Sequence, residues 1–406
     1  MESKNINLAQ DELPSWINAT LNDLTNRRKF LELSNFCEKV IEKYPRSPIV
    51  WNSLGNAYRK LHKYAEASKA FSKLLSLNPT FSDGHTNLGA TFQDISAFNI
   101  AIECYKTALC LDPNNTNAHY NMGLALKLQG RYSDAIICFK RALELKNDFV
   151  DAHCNLADAY RCEGRFVEAE KTYHAAFLIQ PNHVFAKHML DALKGQKTKC
   201  PPEGFVEQLF DQYAPMFDNE LVQKLQYNLP ATFRELIKNR TNEKVANSVL
   251  DIGCGTGLLG KEIRSFCQRL EGIDISKRML EVAEQKNIYD KLTHKNIINF
   301  LSDRELNYDY FVAADVFAYV GELSEILGVI RRKTQGQVTI IFSTEHNETH
   351  EYQLENTGRF SHSKNYIEKL CCEFGYSLSH FEITHLRKEM HSFLNGGVYI
   401  LESKIA

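Results

Sequence analysis

The 406-residue sequence predicts two architectures in one chain. The first is an all-α solenoid of repeated helix pairs, and the second an α/β domain whose seven-stranded sheet ends in an antiparallel edge hairpin. Three observations predict this. The N-terminal half aligns with itself at a shift of 34 residues. An apolar run, Ser248 to Ile252, breaks into alternating glycines at Gly253, Gly255 and Gly257, as a buried strand does when it turns sharply into a helix. A second apolar run ends about twenty residues later in the acid Asp274, the spacing of a strand-helix-strand unit whose two strand ends meet one ligand.

Length and composition agree with more than one domain, since a domain takes about 150 residues. Lys and Arg number 48 against 50 Asp and Glu, a formal net charge of −2, so no basic excess points to nucleic acid. No run of about 18 apolar residues occurs. The first ten residues, Met1 to Gln10, are polar and unlike a secretory signal. The eleven cysteines are odd in number and lack C-x-x-C spacing. They predict reduced core residues in a cytoplasmic protein, with no disulfide framework and no metal site.

In the repeated half, Trp51, His85, His119 and His153 fall in register, as do Gly55, Gly89, Gly123 and Ala157. Ala67, Ala101, Ala135 and Ala169 follow, then Phe71, Tyr105, Phe139 and Tyr173; Pro79, Pro113 and Pro181 close three units. Small residues let two helices approach, aromatics fill the space between them, and proline ends the second helix. This resembles the tetratricopeptide pattern. Residues 14–47 fit the frame weakly and are expected to form a degenerate capping pair. Residues 48–194 hold four repeats and a closing helix, Val184 to Lys194, expected to carry a polar outer end. Residues 195–204, with Pro201-Pro202, are the expected linker.

Asn87, Asn121 and Asn155 occupy one register, which in the tetratricopeptide frame faces the concave groove beside Arg59, Gln93, Tyr120, Lys127 and Arg161. An amide donates to and accepts from a peptide backbone, so such a ladder suits an extended protein or peptide partner. The same amides also suit bonds between neighbouring helices, which would only stabilise the stack.

The α/β domain, residues 205–406, opens on a helix with Phe210, Tyr213 and Phe217 at helical spacing, either a core stripe or a lid that excludes water. The glycines Gly255, Gly257 and Gly260 satisfy a dinucleotide fingerprint as well, but Asp251 at the mouth of the turn would repel a diphosphate and suits a cationic ligand. The stretch resembles motif I of class I S-adenosylmethionine-dependent methyltransferases, which have a Rossmann-like fold. The run FDQYAPMFDNELVQKLQYNLP is similar to the opening of a family of predicted methyltransferases that carry tetratricopeptide repeats. The resemblance implies S-adenosylmethionine as cofactor, bound by Tyr213, Asp251, Gly253, Cys254, Gly255, Gly257, Asp274, Ile275, Asn296, Ala314 and Asp315. Asp274 is expected on the ribose, and Asn296 at the position where an acid often meets the adenine.

Four residues lie where chemistry is expected, at or near the carboxyl ends of the later strands: Tyr319, His346, Arg359 and His362. His346 has the chemistry of a general base, or that of an ordinary polar loop residue. Tyr319 suits a substrate contact or packing at a helix start, and Arg359 and His362 suit orienting the substrate or capping the helix that follows. Asp315 either faces the reaction centre or holds its loop. No Asn/Asp-Pro-Pro-Tyr, paired-glutamate loop or Pro-Cys nucleophile is present, which leaves oxygen acceptors, amines and small metabolites. Three functions follow: a methyltransferase whose repeats recruit a protein or peptide, a small-molecule or glycan methyltransferase whose repeats serve assembly, and a non-catalytic adaptor.

Overall fold

The computed structural model describes residues 13–214, 217–219, 221, 225–240, 246–389 and 392–403. The polar start Met1 to Gln10 and lid positions 215 and 216 lie outside them. The chain divides into two compact units, Met1–Pro181 and Asn182–Ala406.

The described part of the first unit is ten helices in five pairs. These are α1 (Ser15–Asn26) with α2 (Phe30–Lys43), α3 (Pro48–Lys60) with α4 (Tyr64–Leu77), and α5 (Ser82–Asp94) with α6 (Phe98–Leu111), followed by α7 (Thr116–Leu128) with α8 (Tyr132–Leu145) and α9 (Val150–Cys162) with α10 (Phe166–Ile179). The packing explains the registers. A Cβ on Gly55, Gly89 or Gly123 would lie 2.6–2.7 Å from the rings of Phe71, Tyr105 and Phe139, so the glycine is the space the aromatic ring fills. Trp51, His85, His119 and His153 each donate a ring N–H to the carbonyl six residues back, at 2.9–3.0 Å. That carbonyl belongs to Pro45, Pro79, Pro113 and Asn147 in turn, so the ring pins the loop between repeats.

The turn inside each pair shows the same period. Arg28, His62, Ser96, Gly130 and Gly164 all take positive φ, between 55° and 76°. The spacing of 34 residues thus extends to the α1–α2 pair, which repeats the turn geometry of the rest although its sequence match is weak.

The second unit begins with α11 (Val184–Leu193). The polar outer end expected of this helix is not what forms: Ala186, His188, Met189, Leu190 and Ala192 are buried. His188 donates from Nε2 to the Gly358 carbonyl at 2.8 Å and its ring lies 4.2 Å from that of Phe205. The expected linker is likewise held, because the Lys199 carbonyl accepts N–H bonds from Gly321 and Glu322 at 3.0 and 2.9 Å.

Among the described residues nine strands form one sheet: β1 (Ala246–Ile252), β2 (Cys267–Asp274), β3 (Lys291–His294), β4 (Tyr310–Ala313), β5 (Thr339–His346), β6 (Tyr352–Leu354), β7 (Phe360–His362), β8 (Tyr376–Glu389) and β9 (Ser392–Ser403). β3, β2, β1, β4 and β5 run parallel in that order, and β9 pairs antiparallel with β5 and β8 with β9. These are the seven strands expected. The other two, β6 and β7, form a short hairpin that joins the carboxyl end of β5 at Glu345 and His346, where the sequence reads as polar loop. The β8–β9 hairpin is also longer than its apolar stretches indicate.

Helices cover both faces. On one, α14 (Leu229–Arg240) and α15 (Leu258–Ile263) pack Phe233, Ile237, Leu259 and Ile263 on Val249, Leu270 and Ile341. On the other, α17 (Ile297–Ser302), α18 (Ser324–Lys333) and α19 (Lys364–Phe374) pack on Leu250, Ile252, Phe311 and Phe342. Among the described residues no helix is long and apolar enough to cross a membrane.

Candidate functional site

In parallel sheets covered on both faces, ligands bind outside the carboxyl ends of the strands. β1 ends in the glycine loop there, where Gly253, Gly255 and Gly257 hold φ of +64°, +53° and +86°, a region closed to most side chains. Each glycine meets a different neighbour. A Cβ on Gly253 would lie 2.6 Å from Val316 and one on Gly257 3.1 Å from Tyr289, whereas at Gly255 the nearest atom is on Phe217 at 3.8 Å. Gly255 therefore faces the open side of the loop.

Asp274, at the end of β2, accepts the Gly255 N–H and the Ser276 N–H, both at 2.8 Å. The two strand ends meet through this carboxylate, and burial raises its pKa against the pull of those N–H groups. Cys254 joins the same contact, its N–H donating to the Ile273 carbonyl at 2.9 Å, with its thiol buried and pushed well up. Ile275 accepts at its carbonyl from His294 at 2.8 Å. Asn296 accepts the Ile298 N–H at 2.9 Å and so caps α17.

Asp251 sits beneath the loop, 1% exposed, with its carboxylate accepting from the Tyr289 hydroxyl at 2.7 Å. Burial raises its pKa to about 7; the Tyr289 bond lowers it and the charge of Asp274 raises it. Sequence reasoning missed Tyr289, which follows α16 (Lys277–Gln285) in an aperiodic stretch. Its signal was indirect: a Cβ on Gly260 would collide with its hydroxyl and one on Gly272 would lie 3.1 Å from its ring, so the two glycines make room for it.

The segment expected as a lid is tied down at two acids. It comprises α12 (Phe205–Tyr213) and the single turn α13 (Phe217–Asn219). Asp211 accepts from the Ser276 hydroxyl at 2.6 Å, and Ser276 is the N-cap of α16. Asp218 accepts from Lys286 at 2.6 Å and from the Thr256 hydroxyl in the glycine loop. Phe210 stacks edge-on with Tyr319 at 5.0 Å, while Tyr213 stays 48% exposed.

At the ends of β4 and β5, Ala314 leads into Asp315, whose φ is +58° and whose N–H donates to Ser343 Oγ at 2.9 Å. Arg387 donates to Asp315 Oδ2 and, at 3.0 Å, to Glu345 Oε1, which also accepts from Arg359. Two cations and two anions thus close one buried network. Burial pushes the Glu345 carboxyl up against the pull of both arginines. Tyr319 has its hydroxyl raised to about 12 by burial. Arg387 was not foreseen, because the polar run after Thr384 reads as loop.

The structure separates the two histidines expected here. His362 is 0% exposed, donates from Nε2 to the Gly321 carbonyl at 2.8 Å and stacks on Tyr366; burial lowers its pKa to about 4. A ring sealed in the core cannot meet an acceptor, so its expected catalytic role gives way to a packing one. His346 is half-buried beside Phe381, and burial lowers its pKa.

In the first unit, Asn87 donates to Asn52 at 3.0 Å. Asn155 donates to the Tyr120 hydroxyl and the Asp151 carbonyl and accepts from Lys127 at 2.7 Å, so both ends of its amide are engaged within the array. Asp158 gathers Lys127, Arg161 and the Tyr173 hydroxyl, which hold its carboxyl low despite burial.

Comparison with known proteins identifies both parts. The family described as "Methyltransferase domain" matches residues 250–335, and tetratricopeptide families match residues 48–81, 97–130 and 116–149. The chain joins tetratricopeptide repeats to a methyltransferase domain. The glycine loop and all the strand ends up to α18 fall within the methyltransferase match. The malonyl-(acyl-carrier protein) O-methyltransferase of Halalkalibacterium halodurans is 33% identical over 152 residues, 34% of this chain and 54% of that protein. The N-demethylindolmycin N-methyltransferase of Streptomyces griseus is 29% identical over 82 residues, 19% of this chain and 35% of that protein. The chain therefore spans about half the length, or less, of these relatives. Among solved structures, the magnesium protoporphyrin IX methyltransferase of Synechocystis PCC 6803 with bound SAM has a TM-score of 0.35 at 17% identity, covering 43% of this chain and 78% of that one.

Proposed function

We propose that the protein transfers a methyl group from S-adenosylmethionine to a protein or peptide acceptor recruited by its tetratricopeptide groove. The observation that carries the cofactor assignment is the Asp274 carboxylate on the Gly255 N–H. In a dinucleotide site the loop N–H groups serve a diphosphate; here one is already engaged by an anion, with buried Asp251 close behind. The residues fit the cofactor. Gly255 has an open face where a Cβ would meet nothing nearer than 3.8 Å, and Asp274 can accept from vicinal ribose hydroxyls.

When bound, the cofactor supplies an electrophilic methyl carbon. The chain's own contribution is to orient and to exclude water. Asp274 and the Gly253–Gly257 backbone hold one end of the site; Phe210 and Phe217 cover it, secured by Asp211 and Asp218. The internal bonds of Asn155 and Asn87 favour a second reading for the array, in which the ladder stabilises the stack and the acceptor is a small molecule or glycan. Incubating the protein and methyl-labelled S-adenosylmethionine with an extract of cells that lack the protein, then separating by size, tests both. Label with macromolecular protein supports the first reading and label in the small-molecule fraction the second. No transfer at all refutes the proposal.

A further inference from the structure

Asp315 combines three features at one position. It holds a left-handed backbone at φ +58°, a conformation that aspartate adopts more readily than most side chains and that turns the chain sharply after β4. The residue after it, Val316, packs against Gly253 of the glycine loop, so Asp315 sits directly beside the cofactor end of β1. Its Oδ1 is covered and has no hydrogen-bond partner among the described residues, although Oδ2 is held by Arg387; unlike His362, the Asp315 side chain keeps 15% of its surface exposed.

Arg387 reaches that position through an irregularity. The β8–β9 register shifts between His385 and Arg387, which leaves Leu386 as the extra residue of a bulge, and Arg387 is buried beside it. Bulges re-aim side chains in this way and are frequent beside active sites. Gly396 provides the room, since a Cβ there would collide with the Leu386 side chain.

We propose that Asp315, positioned by Arg387, contacts the methyl acceptor through its unpartnered oxygen and selects an acceptor whose nucleophilic atom carries a hydrogen, an amine or a hydroxyl. This rests on the methyltransferase reading above. Within the network the cations and anions are matched, so no charge awaits a partner. What is missing is one donor for Asp315 Oδ1. A buried acceptor left without a donor destabilises the site; an N–H or O–H group supplies the bond, whereas a carboxylate would bring a third anion and no hydrogen. The bond also fixes the direction of the acceptor's lone pair for an in-line transfer. In that transfer the new bond to the methyl carbon would form as the carbon–sulfur bond breaks, its electron pair would leave on the sulfur, and the nucleophile's proton would pass to Asp315 Oδ1.

The test uses the full chain, wild type and the variants Asp315→Asn, Arg387→Lys and Arg387→Gln. Asparagine tolerates left-handed backbone and matches aspartate in volume, so Asp315→Asn keeps the test open if Arg387→Gln fails to fold. S-Adenosylmethionine affinity is measured by calorimetry, and transfer of its labelled methyl group into an extract of cells lacking the protein is measured beside it. The expected result is cofactor affinity within about threefold of wild type for Asp315→Asn, with transfer lowered roughly a hundredfold. Arg387→Lys should retain more transfer than Arg387→Gln. The label should resist mild alkali, as N-methyl and ether groups do, the amine and hydroxyl cases then being separated by acid hydrolysis and amine analysis. Label released as methanol identifies a carboxylate acceptor and overturns the inference. So does a loss of cofactor affinity equal to the loss of transfer in Asp315→Asn, which would assign Asp315 to the cofactor. A wild-type chain that binds no cofactor refutes the underlying reading instead, and the calorimetry separates the two failures.

Discussion

Replacing Asp251 by asparagine should make the second unit more stable at pH 8 and reduce the stability it loses between pH 5 and pH 8. The carboxyl is buried beneath the glycine loop, and its pKa rises from 3.8 to about 7. A group whose pKa is higher in the folded than in the unfolded chain favours folding while protonated. That contribution is complete below about pH 4 and is lost as pH rises through about 7. In the interval where the folded chain holds the proton and the unfolded chain does not, stability falls by about 1.4 kcal/mol for each pH step of one. From pH 5 to pH 8 the protein crosses about two such steps, so wild type should lose on the order of 3 kcal/mol there through this group. Asparagine keeps an oxygen for the Tyr289 hydroxyl and does not titrate. Scanning calorimetry of both proteins at pH 5 and pH 8 measures the difference. Both tryptophans, Trp16 and Trp51, lie in the first unit, so tryptophan fluorescence supplies an internal reference that the substitution should leave unmoved. Equal pH dependence in wild type and Asp251→Asn would show that this carboxyl does not titrate in the window and would refute the reasoning from burial.

Two other expectations concern the repeats. Ser96 holds positive φ where the fourth and fifth pairs have Gly130 and Gly164, so Ser96→Gly should stabilise the first unit by about 0.5–1 kcal/mol and Gly130→Ala should destabilise it by about 1 kcal/mol; urea unfolding followed by tryptophan fluorescence reads both. Asn155 is engaged at both ends by the array, so Asn155→Ala should cost about 1 kcal/mol of stability. Asn121→Ala should instead leave stability intact and raise the acceptor KM at constant kcat if the groove recruits the acceptor, and an unchanged KM would favour the assembly reading.

Much of this architecture is legible in the sequence because its causes are local or periodic. The glycine that admits a ring sixteen residues later, at Gly55 and Phe71 or Gly123 and Phe139, repeats with the array. The loop from Gly253 to Gly257 is a local demand for positive φ, and Asp274 follows at a spacing set by one strand-helix-strand unit. What escapes depends on partners distant in sequence or on composition that misleads. Arg28, His62 and Ser96 take the turn conformation that glycine marks elsewhere, so the first pair looks weaker than it is. Tyr289 matters through Asp251 and Gly260, neither of them adjacent to it. Arg387 lies in a polar run that becomes strand only because β9 pairs with it. His362 and Arg359 look alike as polar residues before a helix, yet the β6–β7 hairpin buries the first in the core and sends the second to Glu345.

The central claim is that the meeting point of the two strand ends, Gly255 with Asp274, receives S-adenosylmethionine. Isothermal titration of the full chain with that cofactor tests it most directly. One site per chain is expected, with affinity lowered by a factor of ten or more, about 1.4 kcal/mol, in Asp274→Ala. No binding heat with wild type, or equal affinity in the two proteins, would contradict it.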